Sequence, residues 1–165
     1  MKLSNTKPQI VVVGSSSIDL ILKTSKIPTA NNTVLAQNLT SFLGGKGANQ
    51  AIATSRLGAH TSFVSRVGMD PYGQQVLRNL DDEKVNVVYV FEDEDEATGT
   101  AYVAASEEGN AITVVPAANY SLSFENIDEA EKYLATADLI LTQMEIPSKT
   151  VEYLFKKAKK LNKKI

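Results

Sequence analysis

Positions 42–51 of the chain read Phe-Leu-Gly-Gly-Lys-Gly-Ala-Asn-Gln-Ala, and a helix-compatible segment follows at 51–57. Because glycine has no Cβ, three glycines within four positions permit unusual backbone conformations and let a ligand lie against the backbone. The start of the following helix would leave unpaired N–H groups pointing outward. Lys46 adds a positive charge, and Asn49 adds a donor and an acceptor. The stretch predicts a site for a polar ligand; the alternative is a plain junction between a loop and a helix.

Two familiar phosphate-binding motifs do not fit this stretch. A Walker-type P-loop requires Ser or Thr after its lysine, whereas Gly47 follows Lys46. A dinucleotide-binding fingerprint requires a third glycine three positions after its second, and that position, residue 50, is Gln50. The spacing therefore favours a ligand other than a nucleotide.

Upstream of the glycines, Gln9–Val13 is a short and almost wholly apolar run that ends at Gly14. This pattern predicts a strand buried on both faces of a parallel sheet. Asp19 follows among apolar residues. Its carboxylate is either a turn acid that accepts hydrogen bonds from nearby backbone N–H groups or an acceptor for the hydroxyls of a substrate.

Downstream, predicted strands and helices alternate, which indicates parallel α/β layering. The strands are predicted at 61–67, 86–91 and 138–142, and the helices at 72–82, 125–136 and 148–162. Two regions interrupt this alternation. Short alternating segments at 33–36 and 38–42, and a hairpin formed by 98–106 and 111–115, predict a separate small sheet.

The composition limits the class of protein. The 165 residues fit one domain with a proper core, and a net charge of −2 gives no general attraction for nucleic acid or an anionic membrane. The absence of cysteine excludes disulfides and thiolate metal sites. Residues 1–6 lack the apolar core of a signal peptide and no apolar run is long enough to span a membrane, so a cytoplasmic protein is expected. The acidic run at 92–96 is expected to be a solvated loop.

Residues 44–51 resemble the first signature of the ribokinase group of carbohydrate kinases, the PfkB family. Other segments follow the family's order and approximate spacing, and they lie at 11–19, 66–73, 97–101 and 143–147. The resemblance implies a Rossmann-like layered α/β fold with a small β-sheet lid over the sugar. Residues 1–165 would be the N-terminal part of a single ribokinase-like domain, with lid strands at about 18–42 and 98–115.

The resemblance also implies the activity, which is transfer of the ATP γ-phosphoryl group to a hydroxyl of ribose or a similar sugar. Ser17 stands where the bacterial ribokinase pattern has Asn, and Glu145 matches an acidic position near the family's sugar and metal region. The substrate-binding residues implied in this way are Ser17, Asp19, Gly44, Gly45, Lys46, Asn49 and Glu145, and the implied lid residues are Thr98, Gly99 and Ala101.

In this family the catalytic base, the ATP pocket and the sites linked to Mg²⁺ and to a monovalent cation such as K⁺ would lie beyond Ile165. The 165-residue chain alone is therefore expected to be inactive. The resemblance further implies a homodimer paired through the lid, with an apolar face expected from Leu35, Leu39, Tyr102 and Val103. Two other functions stay open: a non-catalytic sugar-binding module, and a nucleotide-binding α/β domain that uses the glycine turn for phosphates.

Overall fold

The computed structural model describes residues 6–165, so most of the segment tested for a signal peptide lies outside the described part. The strands are β1 (Gln9–Val13), β2 (Ser17–Thr24), β3 (Ala36–Gly44), β4 (His60–Gly68), β5 (Asn86–Asp93), β6 (Thr100–Ser106), β7 (Gly109–Val115) and β8 (Leu139–Thr142). The α-helices are α1 (Lys46–Arg56), α2 (Pro71–Asp82), α3 (Phe124–Glu129), α4 (Glu131–Thr136) and α5 (Ser148–Lys160), and a short 3₁₀ helix spans Ala117–Ser121. Within residues 6–165, no helix has the length and apolar character needed to cross a membrane.

The main sheet contains four parallel strands in the order β5-β4-β1-β8. Side chains alternate between the two faces of a strand, and both faces of β1 are covered. Val11 and Val13 pack into a core with α3, α4 and α5, whereas Val12 packs into a second core with α1 and α2. The predicted doubly buried strand and the predicted α/β layering are therefore confirmed.

A second sheet has the order β3-β2-β6-β7. β2 pairs antiparallel with β3 and parallel with β6, and β6 and β7 form an antiparallel hairpin. Asp19 lies opposite Phe42 on β3 and opposite Ala101 on β6. The prediction of a separate small sheet is confirmed, and its β2 and β6 strands meet beside Asp19.

Helix α1 begins earlier than the sequence predicts. Its first residue is Lys46 and Gly45 is its N-cap, so Gly47 and Asn49 lie in the first turn rather than in a loop. Glycine in that turn weakens helix propensity, which is why the pattern indicated a later start. The close packing of Gly47 against the backbone of Ser15 accounts for the difference, because a Cβ there would lie 2.6 Å from the Ser15 carbonyl oxygen.

Two other boundaries differ from the prediction. The expected strand at 33–36 is absent, and one strand, β3, begins at Ala36. The expected helix at 125–136 is divided into α3 and α4 at Ala130, where the backbone ψ is 0°. Ile127, Ala130 and Leu134 are all fully buried, so the helical spacing of apolar residues continues through the break and conceals it in the sequence.

The apolar residues expected on one face of the second sheet lie on two faces. Leu39 pairs with Leu22, and Tyr102 pairs with Leu20, which places these four side chains on one face. Val103 pairs with Ile21 and therefore lies on the opposite face. Leu35 precedes β3. The expected grouping of Leu35, Leu39, Tyr102 and Val103 is wrong because the strand register cannot be read from one sequence.

Candidate functional site

The turn that follows β1 carries three serines at the carboxyl end of the main sheet. Ser15 Oγ donates a hydrogen bond of 2.7 Å to Glu145 Oε2. Ser17 Oγ donates a hydrogen bond of 3.0 Å to Asp19 Oδ1. The two hydroxyls thus orient two carboxylates that are far apart in the sequence.

The glycines pack α1 and β3 tightly against this turn. Gly45 has a φ of 88°, in the left-handed region, and a Cβ there would lie 2.6 Å from Ser16 Cα. At Gly44 a Cβ would lie 2.0 Å from Asp19 Oδ1, so the carboxylate occupies that space. At Gly44 and Gly47 the protein itself fills the space that a side chain would occupy, so close packing requires glycine at both positions.

The N–H groups at the start of α1 are also used within the protein. The Lys46 N–H donates to Glu145 Oε2 over 3.0 Å, and the Ala48 N–H donates to the Ser15 carbonyl over 2.9 Å. The Lys46 ammonium group forms an ion pair with Glu145 Oε1. The expectation of outward, unpaired N–H groups is wrong here, because Glu145 supplies the negative charge that a helix N-terminus favours.

The contacts of Glu145 determine its charge. Burial raises the pKa of this carboxyl, but the hydrogen bonds from Lys46 and Ser15 outweigh the burial and leave the pKa below its ordinary value. Glu145 is therefore ionised at neutral pH and serves as a fixed hydrogen-bond acceptor.

These groups border a cavity of about 340 Å³ between the turn, the start of α1 and the second sheet. One side of the cavity is polar and the other is apolar. The lining includes Ser17, Asp19, Gly45, Lys46, Asn49 and Glu145 on the polar side, and Ala101, Ile112 and Val114 from β6 and β7 on the apolar side. The structure thus brings together seven of the ten residues that the sequence singled out. Gly44, Thr98 and Gly99 do not line the cavity.

Thr98 lies at a different place from the one expected. It is buried; its N–H and its hydroxyl donate to Asp70 over 2.8 and 2.7 Å, and its Oγ1 accepts the Gly68 N–H over 3.0 Å. Asp70 also caps α2 by accepting the Gly73 N–H. Burial raises the pKa of Asp70, but the hydrogen bonds from Thr98 and Gly73 outweigh the burial and leave the pKa below its ordinary value. Thr98 fastens the start of β6 to the main body.

The acidic run at 92–96 is only partly the solvated loop that the sequence predicted. Asp93 is buried and forms an ion pair with Arg66 over 2.6 Å, while the acids on either side are exposed. Burial raises the pKa of Asp93, but hydrogen bonds from the Glu96 N–H and from Arg66 outweigh the burial and lower the pKa. Among residues 6–165, no three acidic or imidazole side chains are grouped so that they could hold a metal ion.

Sequence reasoning missed several contributors to the site, among them Ser15, Asn119, Ile112 and Val114. Asn119, in the 3₁₀ helix, is buried and hydrogen-bonds both backbone polar groups of Ser16. Asn119 stands beside Tyr120 and Ser121 in the segment after β7, so no pattern in the sequence distinguished it. Ile112 and Val114 were predicted to lie on a strand, but their direction toward the cavity depends on how β6 pairs with β2.

Comparison with known proteins identifies the family. Residues 7–165 match the model of the pfkB family carbohydrate kinases. The chain is 39% identical to a ribokinase from Bacillus subtilis (strain 168) over 147 residues, which cover 89% of this chain and 50% of the relative. The chain spans about half the length of the curated relatives it matches.

Two solved structures have a similar fold. The crystal structure of Sa239 has a TM-score of 0.90 and 29% identity, covering 95% of this chain and 52% of that one. The structure of Arabidopsis thaliana ribokinase complexed with ribose and ATP has a TM-score of 0.84 and 32% identity, covering 96% and 52%. The ribokinase-type α/β fold is thus confirmed, and the chain belongs to the pfkB family of carbohydrate kinases.

Proposed function

We propose that this chain supplies the sugar-binding half of a ribokinase-type kinase that transfers the ATP γ-phosphoryl group to a hydroxyl of ribose or a similar sugar. Residues 1–165 are the N-terminal part of a single ribokinase-like domain, and the second sheet, from about 18–42 and 98–115, is its lid. Family membership supports this proposal, as does the similarity to proteins named ribokinase over about half their length.

The observation that carries the proposal is the two-sided cavity of about 340 Å³. Asp19, Asn49 and Glu145 supply acceptors and one amide donor on its polar side, which suits a ring that bears several hydroxyls. Ala101, Ile112 and Val114 supply an apolar side that suits the C–H groups of the same ring. Its size lies in the range of about 300–1,000 Å³ that is typical of small-molecule sites.

Each polar residue has a distinct role in the proposal. Asp19 accepts hydrogen bonds from two sugar hydroxyls, and Ser17 holds one oxygen of that carboxylate in place. Lys46 helps to lower the pKa of Glu145, and Asn49 lies exposed on the first turn of α1, where it reaches the same ring. These contacts orient the attacked hydroxyl, which is the main protein contribution to a phosphoryl transfer.

The proposal assigns no catalytic base and no metal to the described residues. Glu145 has a lowered pKa and an ammonium partner, so it is a poor proton acceptor at neutral pH. Residues 6–165 do not fit a Mg²⁺ site, because the acidic groups are not clustered. We place the base, ATP, Mg²⁺ and a monovalent cation such as K⁺ in the remainder of the complete protein.

The contacts at α1 weigh against a nucleotide-binding domain. A phosphate at the start of this helix would meet the Glu145 carboxylate, which already accepts the Lys46 N–H. A non-catalytic sugar-binding module would use the same cavity as the kinase. Phosphoryl transfer by the complete protein separates the module from the kinase.

We also propose a homodimer through the second sheet. The face that carries Asp19 also carries Ile21, Phe42, Val103, Ile112 and Val114, and Phe42, Ile112 and Val114 are each more than half exposed. Such a continuous apolar face is normally covered. A second copy of the chain is the expected cover, and sedimentation should show dimers; a strictly monomeric species at high concentration would contradict this part of the proposal.

Calorimetric titration of the chain with ribose and, separately, with ATP tests the function. We expect saturable binding of ribose and none of ATP. With ribose and Mg-ATP together, the 165-residue chain should release no ribose-dependent ADP. Binding of ATP without ribose would favour the nucleotide-binding alternative, and ribose-dependent ADP release would show that the described residues do contain the transfer chemistry.

A further inference from the structure

The side chain of Asn119 holds a single residue of the turn after β1 by both of its backbone polar groups. Asn119 Oδ1 accepts the Ser16 N–H over 2.8 Å, and Asn119 Nδ2 donates to the Ser16 carbonyl over 2.8 Å. Asn119 is 4% exposed, so these hydrogen bonds are shielded from solvent. The geometry reproduces the pairing of a neighbouring strand at one residue.

Ser16 lies between the two serines that orient the acids of the site. Ser15 donates to Glu145, and Ser17 donates to Asp19. The peptide units on either side of Ser16 are planar, so their orientations set the directions in which the neighbouring side chains leave the backbone. Rotation of Ser16 would therefore displace both carboxylates of the cavity together.

Asn119 is itself fixed at the base of the β6–β7 hairpin. Its Nδ2 also donates to the Pro116 carbonyl over 3.1 Å, directly after β7. At Gly99, directly before β6, a Cβ would lie 2.3 Å from Asn119 Nδ2 and 2.9 Å from the Ser16 carbonyl oxygen. The amide thus fills the space between the turn and the residues on which the hairpin begins and ends.

We propose that Asn119 is a positioning residue that sets the directions of Asp19 and Glu145 together and ties them to the base of the β6–β7 hairpin. The identity of the ligand rests on the proposed function. The positioning itself concerns only residues of this chain, so it can be measured in an NMR spectrum recorded without ligand.

Two variants disturb this contact by different routes in the full chain. Asn119→Ala removes the amide, and Gly99→Ala keeps the amide but adds a methyl group where it lies. Asn126→Ala is the matched control, because Asn126 is also a buried amide, bonded to Arg66 and Ser123 away from the cavity. A purely structural role for Asn119 predicts that Asn119→Ala and Asn126→Ala behave alike.

The first readout is the ¹H–¹⁵N spectrum without ligand. The amide protons of Lys46 and Ala48, which donate to Glu145 and Ser15, should move upfield in Asn119→Ala and Gly99→Ala but not in Asn126→Ala. The second readout is calorimetry, in which both variants should raise the Kd for ribose by about tenfold. If one variant does not fold, the other decides the outcome.

The outcomes are separable. Unchanged Lys46 and Ala48 signals in a folded variant would overturn the positioning role, whatever happens to ribose. If the Lys46 and Ala48 signals shift in the variants but the wild-type chain binds no ribose, the positioning role is supported and the proposed function is refuted. Equal losses of affinity in Asn119→Ala and Asn126→Ala would reduce Asn119 to a general stabilising residue and also overturn the inference.

Discussion

The main sheet and the second sheet border the same cavity, but the protein covers them to different degrees. The last three residues of β1 are buried, whereas every residue of β7 is exposed. The turn after β1, the first residues of β2 and the start of α1 carry the polar groups, and hydrogen bonds from Ser15 and Ser17 fix Glu145 and Asp19 in place. Strands β6 and β7 of the second sheet contribute the apolar side, where Ile112 and Val114 are more than half exposed. The comparison indicates a preformed polar half and an apolar half whose stability depends on what covers it.

The largest expected effect is on the free energy of unfolding, which should respond very differently to truncation of an apolar side chain in the main sheet and in the second sheet. Phe63 on β4 is fully buried, so Phe63→Ala should lower the free energy of unfolding by about 3–5 kcal/mol. Ile112 on β7 is 56% exposed, so Ile112→Ala should change it by less than about 0.5 kcal/mol in the monomer. Urea denaturation measures both values. A large loss in monomeric Ile112→Ala would mean that the second sheet is as well packed as the main sheet.

The next effect concerns the point where the two sheets are joined. Asp70→Ala removes the cap of α2 and leaves the buried N–H and hydroxyl of Thr98 without their acceptor. Loss of the cap costs about 0.5–2 kcal/mol and the unsatisfied Thr98 N–H about 1–3 kcal/mol, whereas the Thr98 hydroxyl can still donate to the Gly68 carbonyl, so a total of about 1.5–5 kcal/mol is expected. Urea denaturation should show this loss, and Asp82→Ala, which removes an exposed acid at the end of the same helix, should show almost none.

Asp70 should also contribute to acid sensitivity. Its pKa is lowered in the folded state from an ordinary value of 3.8, so its stabilisation is complete above that value and is lost as the pH falls through the lower folded pKa. In Asp70→Asn this loss is absent. The stability difference between wild type and Asp70→Asn should therefore be constant above about pH 5 and shrink below about pH 4. A difference independent of pH down to pH 2 would contradict the assignment.

Affinity for sugar should depend on the polar half. Asp19→Ala removes a charged acceptor, which is typically worth about 1.5–3 kcal/mol, so the Kd for ribose should rise at least about tenfold. The unfolding free energy should change little, because Asp19 is only partly buried. Asp82→Ala again serves as the control. Unchanged ribose affinity in Asp19→Ala would exclude Asp19 from the site.

The smallest effect concerns the ion pair at the start of α1. Lys46→Met should raise the pKa of Glu145 toward its ordinary value, because the hydrogen bonds and charge of Lys46 help to lower that pKa. A ¹³C NMR titration of the Glu145 carboxyl measures the change. The stability should stay within about 1 kcal/mol of wild type, since the Lys46 side chain is two-thirds exposed. Lys156→Met, which breaks the exposed pair with Glu152, should leave the Glu145 pKa unchanged.

The sequence was most informative where local rules act. The apolar run in β1 and the helical spacing in α5 predicted both elements almost to their ends, and the glycine turn predicted that a helix follows but not that it begins at Lys46. Asp19 was singled out as a carboxylate among apolar residues and Glu145 through the resemblance to a family, and both line the cavity. That Ser15 and Lys46 bind Glu145 could not be predicted, because residues about 100 and 130 positions apart meet only after the sheet has formed.

Other features depend on register and close packing. Thr98 was expected in the lid, but hydrogen bonds to Asp70 hold it in the main body. Asn119 gave almost no signal because its partner is the backbone of Ser16, which no side-chain pattern reveals. A shift of one residue in the pairing of β2 with β6 would turn Val103 to the other face of the sheet. The face on which each apolar side chain lies could therefore be assigned only once the strand pairing was known.

The most direct test of the central claim is a crystal structure of the chain grown with ribose. The account predicts a ribose molecule in the cavity between the turn after β1 and the second sheet, with hydroxyls within about 2.6–3.2 Å of the Asp19 carboxylate and the Asn49 side chain. The Lys46–Glu145 ion pair should remain in place. Ribose bound away from Asp19, or bound only after Glu145 has left the start of α1, would contradict the account.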